Sequence, residues 1–222
     1  MNNNNITLDW ATLRTQIRDK QKLQEEWEYV IQMFHNRVID RYFSPIDFLL
    51  SSKEKSKGEG FSILTIECAL IEFIASTVNG MVFNFDGTKR KSYLYTNSSK
   101  WYIRFLNEAY IFEGYFFGIN NFIKAHEFYK DVRCALIHEA QTRNGWTVSI
   151  YNKNKEEDKK NEILFENKVI YRTALNSALK KYFIEFCREA KEETPKGRKY
   201  RKFIARRFDI IHEIEPDNSF WW

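Results

Sequence analysis

The sequence predicts a mainly α-helical protein of 222 residues folded as a single domain. Three observations predict it. Apolar residues recur at spacings of three and four along most of the chain, as amphipathic helices require. Helix breakers are scarce, with three Pro and eight Gly. Strict alternation of apolar and polar residues is confined to the region near 146–171, which reads as a small β-hairpin inserted into a helical bundle. A hydrophobic content of 43% is enough to build one packed core in a chain of this length.

Thr7 or Asp9 can cap a first helix with Trp10, Leu13 and Ile17 on its buried side. The same spacing runs through Trp27, Val30, Ile31, Phe34, Val38 and Tyr42 to Pro45, where the missing amide should break or kink the helix. A short helix over 46–50 leads into a polar, solvated loop over 51–58. The stretch 61–78 is apolar on nearly every face, apart from Glu67 and Glu72. The two carboxylates make it a central core helix and not a membrane span. Asn79-Gly80 closes it through a left-handed cap. Residues 81–95 form a connector rich in Gly, Lys and aromatics, and 97–106 a helix capped by Asn97 or Ser98.

A longer helix opens at Asn120 or Asn121 and ends in Asp131-Val132-Arg133-Cys134-Ala135-Leu136-Ile137-His138-Glu139. Phe122, Ala125, Tyr129, Val132 and Leu136 should make its buried stripe. Ile123, His126, Lys130, Cys134 and Ile137 make a second, mixed face. Arg133 and His138 flank that face, ~140° apart on an ideal helix. Burying an Arg and a His is costly unless they are paired or face a site. An Arg paired with Asp131 and a His bonded to a carbonyl would be a purely structural explanation. Glu67 and Glu72 raise the same question on the core helix: each can pair with Arg or Lys inside the bundle, or one of them can orient Arg133.

Trp146, Val148 and Ile150 alternate with Thr147 and Ser149 as one strand of the hairpin, and 163–171 supplies the other. Thr173 opens a helix with Leu175, Leu179, Tyr182, Phe183, Phe186 and Cys187 on its apolar side. Pro195-Lys196-Gly197 separates it from a basic C-terminal helical extension over 196–214. Lys196, Arg198, Lys199, Arg201, Lys202, Arg206 and Arg207 form a run without an intervening acid. That run is either a solvated helix face or, with Tyr200 and Phe203 interleaved, a surface for phosphate contacts and base stacking.

The formal charge of +5 permits a nucleic-acid partner without requiring one. Cys68, Cys134 and Cys187 lie in apolar helical patterns with no C-x-x-C, which fits a reduced, cytoplasmic compartment. Met1-Asn2-Asn3-Asn4-Asn5 has neither the basic start nor the apolar run of a signal peptide. The histidines lack metal-ligand spacing, and there is neither a Gly-rich phosphate loop nor a G-x-S-x-G turn. No metal, cofactor or membrane partner is therefore expected.

Arg133-x4-His138 at the end of a helix, in an otherwise helical basic chain, resembles the signature of the HEPN superfamily. The run from Gly58-Glu59-Gly60-Phe61 to Ile71-Glu72-Phe73 is similar to the acidic helix that precedes it in bacterial members. The resemblance covers residues from about Asp9 to Arg143, and its specific element is Arg-x4-His. It implies a HEPN-like helical bundle and a metal-independent endoribonuclease, a bacterial toxin or phage-defence effector leaving 2′,3′-cyclic phosphate ends. Arg133 and His138 would be catalytic, with Glu72 or Glu67 beside them. Lys130, Arg143, Arg198, Lys199, Arg201 and Lys202 would contact the RNA substrate. A homodimer is expected, because two copies of the motif helix meeting through Ile123, Cys134 and Ile137 would complete one site. An antitoxin or sensor protein is a further expected partner. After the arginine, active members commonly carry Asn, Asp or His, and this chain has Cys134. The alternative that Cys134 favours is a catalytically inactive HEPN-like module binding a nucleotide, RNA or protein.

Overall fold

A computed structural model describes residues 9–19, 24–51, 58–88, 91–119, 121–150 and 163–216, and within them the chain is mainly α-helical. Helix α1 (Trp10–Asp19) starts beside Asp9, whose carboxylate accepts the Thr12 amide at 2.9 Å. It buries Trp10, Leu13 and Ile17 as the spacing requires. Helix α2 (Gln24–Val38) buries Trp27, Val30, Ile31, Phe34 and Val38.

Pro45 does not break the helical path. Residues Ile39–Phe43 widen into a π-helical turn, in which the Ser44 amide donates back to the Ile39 carbonyl, and α3 (Ser44–Ser51) follows directly. A proline ring collides with the carbonyl four residues earlier, and a wider turn moves that carbonyl away. The polar loop expected over 51–58 lies mostly outside the described residues.

Helix α4 (Glu59–Val78) is the axis of the bundle. It packs against α3 and against the later helices over Ser98–Glu108, Arg172–Lys191 and Pro195–Ile211. It is long and apolar enough to cross a membrane by length and composition, and over half of that stretch is buried within the fold. Gly80 ends it at φ +65°, where an added Cβ would lie 2.2 Å from the Phe203 ring. Both the backbone angle and the close approach require glycine.

The connector is partly a two-stranded parallel ribbon, β1 (Val82–Phe83) beside β2 (Leu94–Tyr95). Asn97 caps α5 (Ser98–Glu108), its side chain accepting the Ser99 amide at 3.1 Å.

The motif helix starts later than its sequence suggests. It comprises α6 (Ala125–Phe128), a π-helical stretch Tyr129–Cys134 and α7 (Ala135–Glu139). Phe122 precedes it and is 57% exposed, so it does not belong to the buried stripe. Phe128 takes that place. Its ring meets Phe116 at 5.4 Å, Phe165 at 5.5 Å and Trp146 at 5.2 Å, all close to edge-on. Such pairs contribute ~0.5–1.5 kcal/mol each beyond the area they bury, and they fix this helix against the small sheet.

That sheet is not the hairpin expected over 146–171. β3 (Thr147–Ser149) pairs in parallel with β5 (Val169–Tyr171), and β4 (Phe165–Glu166) pairs antiparallel with β5. The hairpin is the short β4–β5 turn, where Asn167 and Lys168 both take positive φ. Two consecutive left-handed residues make the tight turn that reverses a chain. The run 163–171 therefore folds as two strands.

Helix α8 (Arg172–Lys191) lies along α9 (Pro195–Ile211). Pro195 is the first residue of α9, behind the Thr194 cap, where a missing amide costs nothing. This helix belongs to the core and is not an extension. Ile204, Ala205 and Phe208 are buried, and Asp209 accepts from Trp10 at 2.7 Å and Arg14 at 2.8 Å.

Candidate functional site

Glu72 projects from α4 toward the motif helix, and Arg133 meets it there. The guanidinium donates to Glu72 Oε2 at 2.6 Å, and each side chain keeps 18% of its surface exposed. The guanidinium also lies 5.5 Å from the centre of the Tyr129 ring. Arg133 Nε is buried without a hydrogen-bond partner. Burial disfavours the charged form of Arg133, but Glu72, by charge and hydrogen bond, outweighs it and keeps the guanidinium more firmly protonated than usual. Arg133 thus pairs with Glu72 and not with Asp131, whose backbone carbonyl accepts the Arg143 amide at 2.9 Å.

The pair sits among phenols and further guanidinia. Tyr95 approaches Glu72, Arg133 and Arg207, and burial raises its hydroxyl pKa against an opposing bond to Ser76. Burial also raises that of Tyr42, which lies near Glu72 and is influenced by Arg207, Arg41 and Arg37. Arg207 donates to Ser76 Oγ and stacks 5.0 Å from the Phe73 ring. One guanidinium, Arg133, thus holds the carboxylate, and Arg207 stands on the far side of the tyrosines that border the pair. Tyr129 hydrogen-bonds Ser98 at 2.9 Å. Arg207, Tyr42 and Tyr95 were not legible as site residues because α9, the π turn Ile39–Phe43 and the ribbon converge only in three dimensions.

His138 stands exposed near the end of α7, beside Ala140, whose left-handed backbone (φ 54°) terminates the helix. Among the described residues no hydrogen bond or ion pair joins His138 to Arg133 or Glu72. The two motif side chains therefore diverge within one chain, as ~140° of helix requires. The π turn ends at Cys134, before most of the interval, and does not bring them together.

Glu67 does not join this pair. It is wholly buried, neither carboxylate oxygen has a hydrogen-bond partner, and it does not contact Arg133. Burial raises its pKa well above the ordinary range, with Arg172 only partly opposing. Arg172 is already paired with Glu59 at 2.8 Å. A step of five residues turns Glu67 ~140° away from Glu72 on α4.

The expected RNA contacts divide. Lys130, Arg143, Arg198 and Lys199 are exposed, with Arg143 paired to Glu139 at 3.4 Å and Arg198 to Glu193 at 3.7 Å. Lys202 is half-buried. Arg201 cannot serve: it is 2% exposed, donates to the Ala190 and Glu192 carbonyls at 3.3 Å each, and pairs with Glu193 at 3.0 Å. The basic run of α9 is in part an internal clasp.

Cys68 faces the Tyr102 hydroxyl, and burial pushes its thiol up to about 12. Among the described residues no group of three or more His, Cys, Asp or Glu side chains is arranged to hold a metal ion. Comparison of the chain with protein-family models, curated proteins and solved structures returned no match.

Proposed function

We propose that the chain is a HEPN-like endoribonuclease that cleaves RNA without a metal, with a toxin or phage-defence role as the family resemblance implies. The observation that carries this is Arg133, held by Glu72 in a partly buried pair, with His138 exposed on the same motif helix. Arg133 offers a fixed fork of donors to the crowded charge of a phosphate under attack. The ribose 2′-oxygen attacks phosphorus, the bond to the 5′-oxygen breaks, and a 2′,3′-cyclic phosphate remains. One imidazole takes the 2′-hydroxyl proton and another delivers one to the leaving oxygen.

A single chain offers one His138, so the full acid–base pair calls for a second copy. Ile137, 49% exposed on the motif helix, and the half-buried Cys134 supply a self-complementary contact. Ile123, expected to share that contact, is buried in its own fold and cannot. The test is cleavage of a mixed-sequence RNA by wild type, Arg133→Ala and His138→Ala. Each substitution should lower the rate by ~100- to 10,000-fold, and wild-type rates in either variant would refute the assignment.

A second reading has support in the 2.6 Å bond itself. An arginine closed onto Glu72, followed by Cys134, also suits a catalytically silent HEPN-like module that binds a nucleotide, RNA or protein. Substrate phosphate must compete with Glu72 for Arg133, and the same assay separates the two.

A further inference from the structure

A file of aromatic rings leads from open solvent to the Arg133 cluster. Phe85 is 89% exposed and meets Phe83 edge-on at 5.0 Å. Phe83 meets Tyr95 at 5.5 Å, and Tyr95 meets Trp101 at 6.5 Å. The strand pleat creates this outer face: Val82 and Asn84 point inward and are buried, so Phe83 and Phe85 point out. Lone exposed aromatics need no explanation, but a connected file of four is a surface with a direction.

Cations border it. Lys100 Nζ stands 5.1 Å from the Trp101 ring centre, and the Arg104 guanidinium 5.8 Å from it. Tyr95, in the middle of the file, also approaches Glu72, Arg133 and Arg207. Exposed rings bordered by cations match single-stranded nucleic acid, whose unpaired bases stack on aromatics while its phosphates seek cations. A duplex keeps its base faces inside and has nothing to offer Phe85. A protein partner would use the rings but has no general need of the guanidinia.

We propose that the β1–β2 ribbon with the start of α5 is an entry path for single-stranded RNA. Bases stack on Phe85 and Phe83, Lys100 and Arg104 over the Trp101 ring meet the phosphates, and the backbone is led past Tyr95 toward Arg133. The direction of travel rests on the ribonuclease reading, whereas the binding surface does not.

The experiment titrates the full chain into a labelled, uncleavable 2′-O-methyl oligouridine of about a dozen nucleotides, read by fluorescence anisotropy. Phe85→Ala should weaken Kd by about 5- to 150-fold, the range of one lost base–aromatic stack. Phe85→Trp should restore it. Phe48→Ala, removing an exposed ring on α3, should leave Kd unchanged, and a duplex of equal length should bind without regard to Phe85. An unchanged Kd in Phe85→Ala, an equal loss in Phe48→Ala, or no binding by wild type overturns the path. If Phe85→Ala weakens binding while wild type cleaves no RNA, the path stands and the ribonuclease reading falls. If wild type cleaves RNA and Phe85→Ala binds equally well, the path falls alone.

Discussion

Glu67→Gln should abolish a pH dependence of stability that the wild-type fold carries. Glu67 is buried with both oxygens unpartnered, and burial holds its pKa well above the usual 4.5. A carboxyl with a folded pKa above its unfolded value binds more protons folded than unfolded. Its stabilising contribution is complete below about pH 4.5 and declines as the pH rises toward the folded value. Within that window the wild type should lose up to about 1.4 kcal/mol per pH unit relative to the variant. Glutamine has nearly the same volume and cannot ionise, so at low pH the two proteins should be similarly stable. By two units higher the variant should lead by up to about 2.7 kcal/mol. Urea unfolding of both proteins across pH 4–8 measures this. Parallel curves would refute the reasoning, since they would mean that Glu67 is ionised in the fold and compensated, with Arg172 the first suspect.

Glu72→Gln should cost ~1.5–3 kcal/mol, the usual value of a hydrogen bond to a charged group, toward the lower end because both partners keep some exposure. Thermal or urea unfolding checks it, and an unchanged midpoint would mean that the Arg133 pair contributes nothing. Ile137→Glu should produce inactive monomers from an active dimer, read by light scattering beside RNA cleavage. A wild-type monomer cleaving at full rate at nanomolar concentration would contradict the two-copy site. Cleavage should persist in excess EDTA, whereas loss restored by Mg²⁺ or Mn²⁺ would call for a metal-assisted mechanism.

Period and capping made most helices legible, because a buried stripe and an Asn or Asp cap are local signals. Asn97 and the stripe of α1 are examples. Pro45 misleads for a physical reason, since a π turn accommodates it without ending the helix. Phe122 and Phe128 both fit an apolar pattern, and the choice between them was made by the aromatic cluster around Phe165, which no local spacing reveals. The β4–β5 reversal hides in Asn167-Lys168, a turn without glycine. Within the site, Arg133 and a choice of two glutamates were legible. The decision for Glu72 came from tertiary packing. Arg201 looked like a surface cation because its run has no acids, yet the α8–α9 junction buries it against carbonyls.

Transfer of the phosphate to the ribose 2′-oxygen leaves its mark on the ends of the products. Wild-type protein in excess EDTA, incubated with an end-labelled single-stranded RNA, should yield 2′,3′-cyclic phosphate and 5′-hydroxyl termini, and His138→Ala should yield none. Termini carrying 3′-hydroxyl and 5′-phosphate, or an RNA left intact by the wild type, would contradict it.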